Sequence, residues 1–121
     1  MLYPFPSAAD LEGLIGRQIV AVVFLSSSIR FWLDGSGYIH IESAIEYIDE
    51  TGQAHPSGVD RRGAATNLHQ LLLHRISAIE SEPSCLSVVF ENGSRMRIFG
   101  NDGPYESGQI CVEPWQGEII F

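Results

Sequence analysis

The sequence predicts an α+β fold that is mostly antiparallel β-sheet, with two short helices and two tandem units, each a helix followed by a β-meander. Three observations predict this class. Apolar positions recur at an offset of 57 residues, short segments alternate between apolar and polar residues, and turn residues separate those segments. The 121 residues, 45% of them apolar, suffice for one core. We therefore expect a single domain over residues 1–121, with units at approximately 7–53 and 64–113.

The offset of 57 residues aligns the two units without a gap. It also superimposes two turn sequences, because Asp34-Gly35-Ser36 coincides with Glu91-Asn92-Gly93. The pattern favours an internal duplication. The matched apolar pairs are Leu11 and Leu68, Leu14 and Leu71, Ile19 and Ile76, Ala21 and Ala78, Ile29 and Leu86, Leu33 and Phe90, Ile39 and Met96, and Ile41 and Ile98.

A short helix is expected at the start of each unit. Ser7 can cap the first helix and Gly16 can end it, whereas the second is expected over residues 64–74. Spacings of i, i+3 and i+4 are typical of an amphipathic helix. The apolar stripes are Leu11, Leu14 and Ile15 in the first unit and Leu68, Leu71 and Leu72 in the second.

The strand that follows each helix differs between the units. Residues 18–25 are apolar on both faces, which favours a strand covered on both sides at the centre of a core, whereas residues 76–81 alternate and predict a half-exposed strand. Two arrangements are compatible with these patterns. The units form either one continuous twisted sheet with both helices on one side or two sheets that face each other.

A β-hairpin follows in each unit. With a loop at Asp34-Gly35-Ser36, the first hairpin pairs Phe31 with Ile39 on the inner face. Further strands are expected at residues 45–49 and 109–113, a loop at residues 54–63, and a docked apolar segment at residues 119–121. The remaining inward positions are Ile29, Leu33 and Ile41 in the first hairpin and Leu86, Val88, Phe90, Met96 and Ile98 in the second.

The outer face of the first hairpin is the candidate binding surface. Its expected cross-strand pairs join Trp32 to Tyr38 and Arg30 to His40. Aromatic and arginine side chains are enriched at recognition sites, although an ordinary solvated sheet face explains the same residues. The equivalent face of the second hairpin carries Ser87, Val89, Arg95 and Arg97 and could contact an acidic group. The predicted binding residues are Arg30, Trp32, Tyr38, His40, Tyr105 and Glu106.

Composition limits the classes of partner. Fifteen acidic and seven basic residues give a formal charge of -8, which repels nucleic acid and anionic membranes. A protein partner or a second copy in a homodimer is the expected partner. No basic signal region or membrane-spanning apolar run occurs, so we expect a soluble cytoplasmic protein. Two cysteines, Cys85 and Cys111, favour reduced thiols, with a single bridge as the alternative.

Catalytic motifs are absent from the sequence. The best constellation for general acid–base chemistry is His40 with Glu42 on one strand face and Glu106 from a later turn, and no nucleophile accompanies it. His69 and His74 are five residues apart and would point to different sides of a helix. We therefore expect no catalytic residues, no metal site and no cofactor.

The chain resembles small bacterial families of unknown function, some similar members of which are toxin-neutralising immunity proteins. The resemblance rests on Leu-x-Gly-x-x-x-x-x-Ile from Leu11 to Ile19, on the segment from Val88 to Gly93, and on Tyr105-Glu106-Ser107. Together with the acidic surface and the Trp32–Tyr38 pair, the resemblance implies a non-catalytic protein–protein interaction module of the immunity type. The alternative is a ligand-binding or hydrolytic domain with a cleft between the two units.

Overall fold

The fold consists of two antiparallel sheets of five strands each. The computed structural model describes residues 4–57, 66–100, 106–113 and 117–121. The described strands are β1 (Ile19–Phe24), β2 (Ile29–Leu33), β3 (Tyr38–Ile41), β4 (Ile45–Ile48), β5 (Ala54–Ser57), β6 (Ile76–Ser81), β7 (Cys85–Phe90), β8 (Arg95–Phe99), β9 (Gly108–Cys111) and β10 (Ile119–Ile120).

Each sheet combines strands from both halves of the chain. The first sheet has the order β1-β2-β3-β9-β10, and the second has the order β5-β4-β8-β7-β6. The hairpin β4–β5 follows the meander β1–β3 along the chain but completes the second sheet. The hairpin β9–β10 follows the meander β6–β8 but completes the first sheet, so the two halves exchange hairpins.

Equivalent strands of the two sheets are related by the offset of 57 residues. β1 and β6 begin at Ile19 and Ile76, and β3 and β8 begin at Tyr38 and Arg95. The exchanged hairpins take equivalent places, because β9 pairs Gly108 with Ile41 and β4 pairs its Ile45 with the counterpart of Ile41, Ile98. That this arrangement arose by duplication stays a prediction.

The predicted α+β class with two helices is wrong, because the structure is mostly antiparallel β and the described residues contain no α-helix. The helical segments are 3-10 helices of six residues, Ala9–Leu14 and Thr66–Leu71. Their buried leucines are three residues apart, which matches the three-residue turn of this helix. The i+4 positions expected to complete an α-helical stripe, Ile15 and Leu72, are exposed. Segments this short also cannot offset the cost of nucleating an α-helix.

The inner faces of both sheets contribute to one apolar core. Phe31 and Ile39 are fully buried in the first sheet, as are Val88 and Met96 in the second. Phe121, which follows β10, is also fully buried. Of the two predicted arrangements, the structure has the one with two separate sheets around a shared core.

The position predicted for the first strand is wrong. β1 is an edge strand rather than a central one, and Val20 and Phe24 are 44% and 49% exposed. The places beside the two central strands β3 and β8 are taken by β9 and β4, the exchanged hairpins. An apolar composition on both strand faces therefore does not reflect coverage on both faces here.

Several local predictions are confirmed. β2 and β3 pair Phe31 with Ile39 and Trp32 with Tyr38, as the three-residue loop required.

Residues 54–57, by contrast, form β5 instead of the start of a loop, and residues 58–63 lie outside the described residues. Cys85 and Cys111 are both buried free thiols. In the described part of the chain, no helix has the length and apolar character needed to cross a membrane.

Candidate functional site

The candidate site lies on the outer face of the first sheet, on the adjacent strands β2 and β3. Alternation in β2 and β3 turns the apolar residues inward and leaves Arg30, Trp32, Tyr38 and His40 on the outer face. The pairing is fixed by the hairpin loop, where the Leu33 N–H donates to the Gly37 carbonyl over 3.1 Å. We call these four residues the aromatic face.

Trp32 and Tyr38 form an edge-to-face aromatic pair. Their ring centroids are 5.3 Å apart with an interplanar angle of 67°, a preferred geometry for such pairs. The Trp32 side chain nonetheless remains 39% exposed. A large aromatic ring is thus held in one orientation while much of its surface stays in contact with solvent.

Arg30 stacks on both aromatic rings. Its guanidinium carbon lies 4.0 Å from the ring centroid of Tyr38 and 5.2 Å from that of Trp32, within the range of cation–π attraction. Its Nε donates to Nδ1 of His40 over 3.1 Å. No carboxylate of the described residues lies within 4 Å of this guanidinium. The Arg30 guanidinium therefore contacts two aromatic rings and an imidazole, and no carboxylate of the described residues.

The environment of His40 favours its neutral form. Partial burial and the nearby Arg30 guanidinium lower the pKa of His40 below its ordinary value, against the opposing charges of Glu42, Glu118 and Glu106. Because Nδ1 accepts from Arg30, the ring proton of this tautomer is assigned to Nε2. His40 is thus the member of the aromatic face that is also near the carboxylates of Glu42, Glu106 and Glu118.

Gln109 gathers two of these carboxylates. It pairs with His40 across β3 and β9, and its Nε2 donates to Glu42 over 3.0 Å and to Glu106 over 2.6 Å. A third carboxylate, that of Glu118, lies near the Tyr38 hydroxyl. Burial first, and then this negative neighbour, raises the pKa of Tyr38. An acidic rim therefore borders the aromatic face.

Most of the predicted site residues lie close together in the structure. The structure brings Arg30, Trp32, Tyr38 and His40 together, and Gln109 links Glu106 to them, whereas Tyr105 lies outside the described residues. Sequence reasoning missed Gln109 and Glu118. Both belong to the exchanged hairpin, so no local pattern placed them beside β3. The alternation of Gln109 between Gly108 and Ile110 was the one available signal that it faces outward.

The candidate catalytic residues His40, Glu42 and Glu106 are close together but are not in a cleft between the two sheets. They lie on the outer face, and the space between the sheets is filled by the apolar core. Among the described residues, no group of three or more His, Cys, Asp and Glu side chains is arranged to hold a metal ion.

The equivalent face of the second sheet has a different character. Arg95 and Arg97 form ion pairs with Glu80 and Glu46, at 3.5 Å and 3.1 Å. The positions equivalent to Trp32 and Arg30 are held by Val89 and Ser87. Both arginines therefore already have acidic partners, and this face offers a matched internal control for the first.

Comparisons with protein families, with curated proteins and with solved structures give no match for this chain. The resemblance to small bacterial families stays a prediction.

Proposed function

We propose that this protein is a non-catalytic protein–protein interaction module that binds a basic partner protein through the aromatic face. The observation that carries the proposal is the exposed Trp32 ring, packed against Tyr38 and Arg30 on the adjacent strands β2 and β3. Tryptophan, tyrosine and arginine are the residue types that dominate binding energy at protein interfaces. Because their contacts already fix them, little side-chain entropy is lost on binding.

The acidic rim supports a basic partner. Glu42, Glu106 and Glu118 border the aromatic face, and the whole chain carries a formal charge of -8. Charges at the rim of an interface accelerate encounter with an oppositely charged protein and reject a like-charged one. We therefore expect association with the partner to slow as salt concentration rises.

The finer proposal is that the partner is a toxin that this protein neutralises. Its support is the resemblance to immunity-type bacterial proteins together with the acidic charge. Once a partner has been captured, co-expression tests the idea directly. Wild-type protein is expected to relieve growth inhibition by that partner, whereas a Trp32→Ala variant is expected to relieve it poorly.

The alternative, a hydrolytic or ligand-binding site, has one observation in its favour, the convergence of His40, Glu42 and Glu106. We prefer the interaction module for two reasons. Nδ1 of His40 accepts a hydrogen bond from Arg30, and no serine, threonine or cysteine of the described residues hydrogen-bonds to the His40 ring. The three residues also lie on an outer sheet face, whereas ligand sites are typically concave.

Site-specific photo-crosslinking in cells tests the interaction module. A p-benzoylphenylalanine residue replaces Trp32, which conserves an aromatic ring, and in a matched control replaces Val89 at the equivalent place on the second sheet. We expect a crosslinked partner at position 32 and none at position 89. Equal crosslinking at both positions would contradict the proposal.

A quantitative test follows with the captured partner. Trp32→Ala is expected to weaken binding by about 30-fold, which corresponds to about 2 kcal/mol. Arg97→Ala, on the control face, is expected to leave the dissociation constant within about twofold. Wild-type affinity in Trp32→Ala would refute a role for the aromatic face.

A further inference from the structure

The free edge of β1 is lined by exposed apolar side chains. Among the described residues, six of the nine exposed large apolar side chains lie along this edge. Leu72 and Leu73 belong to it because Leu72 bridges to Ile19 and the Leu73 N–H donates to the Ile19 carbonyl over 2.7 Å. We call the set the β1 stripe. It consists of Val20, Val23, Phe24, Leu25, Leu72 and Leu73.

The main chain of this edge also has capacity for a further strand. The Leu25 N–H donates to the Ser28 carbonyl, and β1 pairs Val23 with Arg30. Because hydrogen-bonded and non-hydrogen-bonded pairs alternate between antiparallel strands, the N–H and carbonyl groups of Val22 and Phe24 point away from β2. No described strand pairs with β1 on that side.

The equivalent edge of the second sheet is protected. At the positions of Val23 and Leu25 in β1, the segment of β6 carries Glu80 and Glu82. Charged residues of this kind are a common protection of sheet edges against pairing. At the position of Phe24 it carries Ser81, whose hydroxyl donates to the Pro6 carbonyl over 2.7 Å, so the N-terminal segment lies against this edge.

The equivalent edges of the two sheets therefore differ in their protection. We propose that two copies of this chain associate by antiparallel pairing of their β1 strands, which joins two five-stranded sheets into one of ten strands. This site adjoins the aromatic face, because Val23 is the cross-strand partner of Arg30, but it uses the free main-chain edge of β1 and does not depend on the proposed function.

The absence of charge along β1 makes a second copy of this acidic chain a compatible occupant. No charged residue lies between Arg17 and Arg30, so pairing along β1 places no carboxylate opposite another. Over the rest of the surface, the excess of acidic residues makes two copies of the chain repel each other. A two-fold axis near Val23 would set Val22 opposite Phe24 of the second copy. Each Val22 then exchanges two main-chain hydrogen bonds with Phe24 of the other copy. The two symmetric pairs together give four hydrogen bonds.

Analytical ultracentrifugation at two protein concentrations tests the proposal. Wild-type protein is expected to sediment at twice the chain mass and Val23→Glu at the chain mass. Glutamate is tolerated at the equivalent position of β6, so we expect this variant to fold, and Leu25→Glu, which copies Glu82, is a second such variant. Ile120→Glu, on the opposite edge strand β10 where Ile120 is 51% exposed, is the matched control and is expected to remain a dimer.

Hydrogen exchange supplies a readout at single residues. In the wild-type dimer the amides of Val22 and Phe24 are expected to be protected, and in Val23→Glu they are expected to exchange at least tenfold faster. A monomeric wild type at every concentration, a dimer that survives both glutamate variants, or a dimer lost in Ile120→Glu or Trp32→Ala would each overturn the proposal. Protection of these amides only after a foreign protein is added would also overturn it, in favour of that protein as occupant.

Discussion

Gly108 of β9 lies directly against the main-chain carbonyl group of His40 in β3. A methyl group at this position would meet that carbonyl oxygen, and would lie 3.1 Å from Cζ of Phe121. Neither the backbone of a central strand nor a buried ring can move aside at low cost. We expect Gly108→Ala to lower the free energy of unfolding by about 3 kcal/mol, the upper part of the range for overpacked cores, measured by urea denaturation.

Gly13→Ala is the control for this substitution. A methyl group at Gly13 would lie 2.7 Å from Cγ1 of Val112, which is the end of a side chain and can shift. We expect a loss of about 1 kcal/mol. A loss for Gly108→Ala no larger than that for Gly13→Ala would show that β3 and β9 can separate slightly without cost.

Gly16 and Leu73 occupy equivalent positions, and both have positive φ, at 88° and 66°. Added atoms at Gly16 would meet nothing within 4 Å, so Gly16→Ala isolates the cost of the left-handed backbone. We expect it to lower the free energy of unfolding by about 1 kcal/mol. Leu73→Gly is expected to raise it by up to about 1 kcal/mol, because relief of strain exceeds the added freedom of the unfolded chain.

Chemical denaturation in a Val23→Glu background measures both changes, since association then makes no contribution. The two effects should have opposite signs. A loss of stability in Leu73→Gly would mean that packing of the leucine side chain outweighs its backbone strain.

The lowered pKa of His40 predicts a pH dependence of stability. The unfolded chain, with a histidine pKa of about 6.5, binds a proton before the folded protein does. The free energy of unfolding should therefore fall as the pH drops below about 6.5 and stop falling once the folded protein is also protonated. An NMR titration of the His40 ring measures the pKa. Arg30→Gln should raise it, because it removes the neighbouring positive charge, and an unchanged pKa in that variant would contradict the proposed electrostatic contact.

Asp49 organises the turn between β4 and β5. Its Oδ1 accepts from the Thr51 N–H, the Thr51 hydroxyl and the Gln53 N–H, and its Oδ2 lies 3.0 Å from Nε2 of His55. These hydrogen bonds, led by those from Thr51 and His55, hold the pKa of Asp49 well below its ordinary range. Asp49→Ala is expected to lower the thermal unfolding midpoint.

The stabilisation by Asp49 has the same sign of pH dependence as that of His40 but is lost at lower pH. The stabilisation by Asp49 is complete above about pH 4, the pKa in the unfolded chain, and is lost as the pH falls towards the lower folded pKa. The midpoints of wild type and Asp49→Ala should therefore converge in strong acid. A difference that stayed constant from pH 7 to pH 2 would assign the effect to shape rather than to charge.

The local pairing of β-strands was predictable from the sequence. Alternation in residues 29–33 and 38–41, with a short loop between them, fixed the register that pairs Trp32 with Tyr38. The same rules applied to the second hairpin, where Val88 pairs with Met96. Four residues of the candidate site could be placed together because they lie on one hairpin.

Contacts between distant parts of the chain were not predictable. Nothing near Gln109 in the sequence indicates that its strand lies beside β3 rather than beside β8, because an apolar inner face fits either sheet. The helices failed for a related reason: Leu11 and Leu14 satisfy both an α-helical and a 3-10 spacing, and the exposed Ile15 alone distinguishes them. The edge position of β1 depends on the same exchange of hairpins.

The exchanged hairpins have a consequence for the rate of folding. Neither sheet reaches its full width from one half of the chain, since Ile39 must find Ile110 and Tyr47 must find Met96 before either central strand is paired on both sides. Such non-local pairings require large loops to close before they gain stability, which slows folding to milliseconds or longer. Each meander would then persist for a time as a three-stranded intermediate, with the outer edge of β3 or β8 open to the hairpin of another molecule.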